Sequence, residues 1–329
     1  MTGLADGGPL PDRVMVREEG PRDGWQNIED PQIPTEKKLQ LIDGLLDAGI
    51  TRISLTAMMR PDWVPQLADA EQVLRGVTRR PGVSYGVLVP NEKGWQRARG
   101  LREEGCPIDE ISLVISASEA HNQSNVNMSI ADSLRALEGV IGAARADGLH
   151  VCGGMAMAFG CCFEGAVPED RVVELARALR EMGCDELVFG DTTGMANPLL
   201  VRERAARLRD EFSDTTITLH FHNTRGAGLA NVLAALEVGV DSFESAFGEL
   251  GGCQFAHGAT GNIGTEDLVS MLHEMGIETG IDLERLLVVT HEMEELLGRR
   301  LDSHVLHAGP IDWTGQAAAA GGREAPGVI

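Results

Sequence analysis

The stretch TITLHFHNTRGAGLANVLAALEV, residues 216–238, holds two periodicities back to back. Residues 216–221 are a strand-like run with apolar Ile217, Leu219 and Phe221 at every second position. From about Gly228 to Val238 the apolar residues fall at helical spacing. A strand followed at once by a helix is one β-then-α unit. At the junction stand His220 and His222, two apart. Side chains at i and i+2 of a strand share a face, so both imidazoles project side by side.

Working outward, the same unit recurs. Strand-like runs are read at Val14–Glu18, Thr51–Thr56, Val83–Val89, Glu110–Ile115, Val151–Ala158, Glu186–Gly190, Thr216–Phe221 and Ser242–Phe247. Helical patterns follow at Pro34–Asp47, Trp63–Gly76, Glu92–Glu103, Ile130–Ala146, Glu169–Met182, Leu199–Arg209, Gly228–Val238 and Thr265–Met275. Eight such repeats point to an α/β fold, a parallel (β/α)8 TIM barrel. The runner-up is a doubly wound open sheet, but no GxGxxG follows a strand, so a dinucleotide site has no support. Leu283–Leu301 reads as one or two additional C-terminal helices. No internal domain boundary is seen. The expected organisation is a flexible N-terminus over 1–12, a barrel domain with C-terminal helices over 13–305, and a disordered Ala/Gly-rich tail over 306–329.

Composition narrows the function. Of 329 residues 43% are hydrophobic and only 4% aromatic, so the core is aliphatic. Lys and Arg total 28 against 50 Asp and Glu, a net charge of −22. That balance argues against nucleic acid, which needs a cationic footprint, and against a polybasic membrane anchor. No apolar run reaches a membrane span, and the start MTGLADGGPLPD has neither a basic nor an apolar segment of a signal peptide. Six scattered cysteines without CxxC spacing suit reduced thiols, so the expected compartment is the cytoplasm.

In such barrels the active site lies at the C-terminal ends of the strands. After the first strand comes GPRDGWQN (20–27), with Arg22, Asp23 and Gln26. After the sixth comes GDTTG, with Asp191. The seventh ends in His220 and His222, and after the eighth a glycine-rich loop carries Cys253, His257 and Asn262. A carboxylate, two imidazoles and an amide oxygen at one mouth suit a divalent cation, Mg2+ or Mn2+, better than zinc, since no thiolate has ligand spacing near the histidines. Each element also has an ordinary reading: an ion pair in a surface turn, core histidines at the barrel floor, an inert cysteine, a helix cap at Asp191. Coincidence at four strand ends weighs against those readings.

Seven segments carry a closer likeness: GPRDGWQN, RPDWVPQLAD, GVLVPNEKG, NVNMSI, FGDTTG, HFHNTRGAGLANVLAAL and GGCQFAHGATGNIGTEDLV. Through them the chain, from about Val14 to Leu301, resembles the 3-hydroxy-3-methylglutaryl-CoA lyase family, barrel metallolyases with an Arg-Asp pair after strand one. The resemblance implies that Asp23, His220, His222 and Asn262 ligate a divalent cation. It implies catalytic roles for Arg22 and Cys253 and places Asp191 in the substrate pocket, with Gln26 and Ser54 facing the substrate. It implies cleavage of an acyl-CoA thioester to acetyl-CoA and a 3-oxo acid. In that chemistry Arg22 would stabilise the enolate, Cys253 would supply its proton, and Asp23 or Asp191 would act as base through water. A homo-oligomer, a dimer, is the expected assembly.

Three departures stand out. Where the family has a strand-two glutamate facing the substrate, TRISLTAMM (51–59) has Ser54. Here a carboxylate gives way to a hydroxyl, so the pocket is expected to lose a charge and gain volume. The family's Gly-Leu-Gly-Gly-Cys-Pro loop is Glu249-Leu250-Gly251-Gly252-Cys253-Gln254. Trp25 stands where leucine is usual. The departures bear on the acyl group and keep three other readings in view. One is a lyase or aldolase for another branched 3-hydroxyacyl-CoA. The others are a Claisen-type condensing acyltransferase and a non-enzymatic binding protein.

Overall fold

The computed structural model describes residues 9–28, 30–252 and 261–314. Its eight strands are β1 (Met15–Glu18), β2 (Arg52–Ala57), β3 (Ser84–Leu88), β4 (Glu110–Ser116), β5 (His150–Ala156), β6 (Glu186–Asp191), β7 (Thr216–Phe221) and β8 (Ser242–Ser245). All neighbours pair in parallel, and β1 pairs with both β2 and β8, so the sheet closes into the expected barrel.

Helices α1 (Thr35–Asp47), α2 (Ala70–Gly76), α3 (Glu92–Glu103), α5 (Ile130–Ala146), α6 (Glu169–Met182), α7 (Pro198–Glu211), α8 (Gly228–Leu236) and α9 (Thr265–Glu274) follow the strands in order. Their starts carry local signals. Asn91 accepts from the Gly94 N–H ahead of α3, and Ser129 from that of Asp132 ahead of α5. Asn197 caps α7, with Pro198 at its first position. Outward-facing strand residues such as Ile53, Tyr85, Leu187 and Leu219 are wholly buried under these helices.

The structure corrects several expectations. The helix expected over Trp63–Gly76 begins only at Ala70, behind a short 3-10 turn at Pro65–Leu67. Proline cannot donate its backbone nitrogen and keeps Val64 out of the helical region, which delays helix entry. A helix the pattern missed, α4 (Glu119–Val126), has almost no apolar residues; the Ser118 hydroxyl starts it by accepting from the His121 N–H. Beyond Leu297, where α10 (Leu283–Leu297) ends, α11 (His304–Ala308) buries Leu306, so ordered chain extends into the expected tail. At the other end Asp12 accepts from the Glu278 N–H, tying residue 12 to the barrel. The register of β2 against β3 shifts between Ser54 and Thr56. Simple alternation therefore holds for Arg52 and Ser54 but does not carry to Thr56.

Candidate active site

The Arg-Asp pair sits in a tight turn directly after β1. The Glu19 carbonyl accepts from the N–H groups of Arg22, Asp23 and Gly24, at 3.1, 2.7 and 3.1 Å. Gly20 is required: a Cβ there would lie 2.3 Å from the Phe247 ring, which follows β8. Trp25 meets that ring edge-on at 6.5 Å. Its bulk in place of leucine thus pins the turn against the last strand. Held in this way, Asp23 accepts at Oδ1 from Arg22 Nη1 (2.6 Å) and Gln26 Nε2 (2.7 Å), and at Oδ2 from Asn262 Nδ2 (2.8 Å).

The histidines come from the end of β7, at the mouth rather than the floor. His220 Nδ1 donates to Glu244 Oε2 at 2.8 Å. This fixes the ring with its Nε2 lone pair toward the mouth, a common arrangement for metal-binding histidines. His222 Nε2 lies 3.0 Å from His220 Nε2 and 3.9 Å from Asp23 Oδ2. An isolated bridge between His222 and Asn262 brings the loop after β8 alongside. Asp23, His220 and His222 each offer a ligand atom within 4.8 Å of the others.

Electrostatics follow from burial and neighbours. Burial opposes ionisation of Asp23, yet Arg22, the two imidazoles and the Asn262 amide hold it down to about 2. Burial and the facing His220 lower His222 to about 4. Burial also works against a charged His220, but Glu244 and Asp23 outweigh it and raise the ring above its ordinary value.

A divalent cation fits this donor set. Two imidazole nitrogens 3.0 Å apart need a proton or a cation between them. The Asn262 Oδ1 and His222 Nδ1 atoms are buried without a hydrogen-bond partner among the described residues. Three interior guanidiniums, Arg17, Arg22 and Arg52, face five interior carboxylates, Glu19, Asp23, Glu110, Glu186 and Glu244. A doubly charged cation balances that set. With one bound, the Asn262 amide would present its oxygen instead of its nitrogen, an orientation governed by the local network.

The remaining expected residues divide. Gln26 uses its amide nitrogen on Asp23. Asp191 accepts at Oδ1 from the Met195 and Ala196 N–H groups and so shapes its own loop, while Oδ2 is buried without a partner among the described residues. Burial lifts its carboxyl to about 6 against the pull of those bonds. In the β6–β7 register it is Gly190, not Asp191, that lies opposite His220. Ser54 is buried on the inner face, opposite Gly86, whose missing Cβ would point at Arg17 and Glu110. Cys253 and His257 lie outside the described residues. Pattern reading missed Glu19, which grips the Arg22 guanidinium, and Glu244, which orients His220. Strand parity from His220 across to β8 is the signal that finds Glu244.

Glu19, just past the end of β1, is buried with its carboxylate on Arg22, at 2.9 Å from Nε and 2.5 Å from Nη2.

Comparison with known proteins agrees with the geometry. The HMGL-like family model matches residues 13–292. The mitochondrial hydroxymethylglutaryl-CoA lyase of Rattus norvegicus is 42% identical over 92% of this chain and 91% of its own. The hydroxymethylglutaryl-CoA lyase of Bacillus subtilis is 42% identical over 91% of this chain and 98% of its own. The crystal structure of the B. subtilis HMG-CoA lyase superposes with a TM-score of 0.87, at 41% identity, covering 92% of this chain and 99% of that one. An Acinetobacter baumannii HMG-CoA lyase solved with coenzyme A and 3-methylmalate gives 0.86 at 41% identity, over 94% and 97% of the two chains. With its closed barrel, its strand-end histidines and these matches over most of its length, the chain belongs to the HMGL-like family.

Proposed function

We propose that this protein is a divalent-cation-dependent carbon–carbon lyase. Its substrate is 3-hydroxy-3-methylglutaryl-CoA or a closely related branched 3-hydroxyacyl-CoA, and its products are acetyl-CoA and a 3-oxo acid, acetoacetate for the parent compound. The observation that carries the reading is the meeting of Asp23, His220 and His222 beside a clamped Arg22. Asp23, His220, His222 and Asn262 hold the cation, and their oxygen and imidazole donors favour Mg2+ or Mn2+. When bound, it supplies the Lewis acidity that eases proton loss from the C3 hydroxyl. Bond cleavage leaves negative charge on the thioester fragment as an enolate. Arg22, already fixed by Glu19 and Asp23, presents guanidinium N–H groups to that charge without reorganising. Of the two carboxylates considered as base, Asp191 has the fitting basicity and an unpartnered oxygen, so it receives the hydroxyl proton through water. Cys253 then returns a proton to the enolate carbon.

The lyase names of the relatives support cleavage over Claisen condensation. The working unit in this reading is residues 13–305 as a homodimer acting in the cytoplasm on acyl-CoA. Among the described residues no helix is long and apolar enough to cross a membrane. The test is an assay of metal-stripped protein on 3-hydroxy-3-methylglutaryl-CoA and analogues with longer C3 branches, with and without Mg2+ or Mn2+. Acetyl-CoA should form only with the cation. If no acyl-CoA is cleaved under any of these conditions, the lyase reading fails.

A further inference from the structure

We propose that Glu19 is the carboxylate that fixes the reactive Arg22, and that it supplies from the end of β1 the negative charge that Ser54 does not supply from β2. The inference rests on the lyase reading for its activity test.

Three observations meet here. First, β1 and β2 pair with Glu18 opposite Ile53; Glu19, just past the end of β1, and Ser54 are the residues that follow this pair. Adjacent strands lie about 4.8 Å apart, within the reach of a glutamate side chain. Second, both side chains belong to the interior. Ser54 pairs with Gly86, whose Cβ position faces Arg17 and Glu110. Glu19 lies 3.6 Å from the wholly buried Arg17 and contacts Arg22. Third, Glu19 is not idle. Its Oε2 accepts from both Nε and Nη2 of Arg22, while Asp23 takes Nη1. The guanidinium is thus held from two sides.

A serine at position 54 cannot reach or neutralise a guanidinium. Without Glu19, Arg22 would keep only Asp23, a carboxylate also needed by the cation. Arg17 and the cation would then repel Arg22 from the mouth. A carboxylate just past β1 supplies both the charge and the grip. Glu19 is therefore a positioning residue acting through Arg22.

The test is a relocation. Glu19→Gln keeps the shape and removes the charge; kcat should fall roughly 10²-fold at nearly unchanged KM, the loss typical of disabling one oxyanion donor. Glu19→Asp should lie between wild type and Glu19→Gln. Adding Ser54→Glu to Glu19→Gln should recover at least about tenfold of the lost kcat. Full turnover in Glu19→Gln would overturn the proposal. So would a folded, metal-loaded double variant no better than the single one. A readout independent of catalysis is labelling of Arg22 by phenylglyoxal, followed by mass spectrometry. Labelling should be slow in wild type, faster in Glu19→Gln and slow again in the double variant. If wild type cleaves no acyl-CoA the lyase reading fails, and the labelling series alone decides the relocation; equal labelling in all three would end it.

Discussion

The mouth and the floor of this barrel are built from the same residue types and reach opposite states. At the floor Arg17 Nη1 donates to Glu244 at 3.0 Å, and Arg17 Nη2 to Glu110. Arg52 Nε donates to Glu110 at 2.9 Å, and its Nη2 to Glu186 at 2.5 Å. His150 and Thr218 complete Glu186 at 3.0 and 2.6 Å. Glu110, His150 and Cys152 even have metal-ligand spacing, but two guanidiniums already touch the Cys152 sulfur at 3.4 Å. A cation has no place there. At the mouth, by contrast, His222 Nδ1, Asn262 Oδ1 and Asp191 Oδ2 are buried without partners among the described residues. Buried polar atoms are normally satisfied. Orphans occur elsewhere too, Arg17 Nε among them, but those of His222 and Asn262 belong to the candidate ligand set itself, where a cation would complete it.

The sharpest way to break this contrast is to remove one ligand at the mouth. His220→Ala should abolish both stoichiometric cation binding and turnover, read by metal analysis and acetyl-CoA release, while the melting transition persists. Full metal occupancy in that variant would show that the orphans do not mark the site. The floor should respond in the other currency. Glu110→Gln leaves buried Arg17 and Arg52 short of a partner, a change that typically costs about 3–5 kcal/mol of stability. Urea unfolding should show that loss, with kcat of the folded fraction little changed; equal damage to kcat would make the floor part of the active site.

A smaller effect separates the two roles within the mouth itself. Arg22→Met should cost roughly 2.7–4 kcal/mol of transition-state stabilisation, about 10²–10³ in kcat, at nearly unchanged KM. A rise in KM alone would reassign Arg22 to substrate binding. The smallest expected effect concerns pH. In spite of burial, Glu110 is held below its ordinary value by Arg17 and Arg52, and Glu186 by the His150 hydrogen bond together with Arg52 and Arg17. Their stabilisation is present above pH about 4.5 and is lost as acid titrates them. Behind β8 the order is reversed: burial lifts Glu266 to about 7 and Glu18 to about 8. A raised carboxyl stabilises the fold fully below its unfolded value of 4.5, and that contribution disappears as pH climbs through 7 to 8. Unfolding free energy should therefore decline between pH 5.5 and 9, on the order of 1 kcal/mol or more. Glu266→Gln, which can still accept from the Gly248 N–H, should flatten the decline; an unchanged slope would show that Glu266 is not its source.

Much of this was legible beforehand. Strand parity placed His220 and His222 on one face, and the strand-end rule gathered Arg22, Asp23 and Asn262 to the mouth. The helix α4 was hidden because EAHNQSNV has no apolar stripe to read. The Thr56 position was hidden because a bulge between Ser54 and Thr56 breaks the alternation on which parity depends. Cys253 falls in residues the structure does not describe.

By itself the sequence determined the barrel, the order of its units and, where no bulge intervenes, the face on which a strand residue lies, because those are properties of local periodicity. Only the tertiary structure decided which charges complete one another. Asn262 meets Asp23 across 239 residues, Arg17 meets Glu244 across 227, and Arg52 meets Glu186 across 134. Glu19, beyond the end of β1, meets Arg22 in a turn whose position no strand pattern gives. No pattern along the chain encodes such a partnership. It exists only once the sheet has closed and brought β1 between β2 and β8.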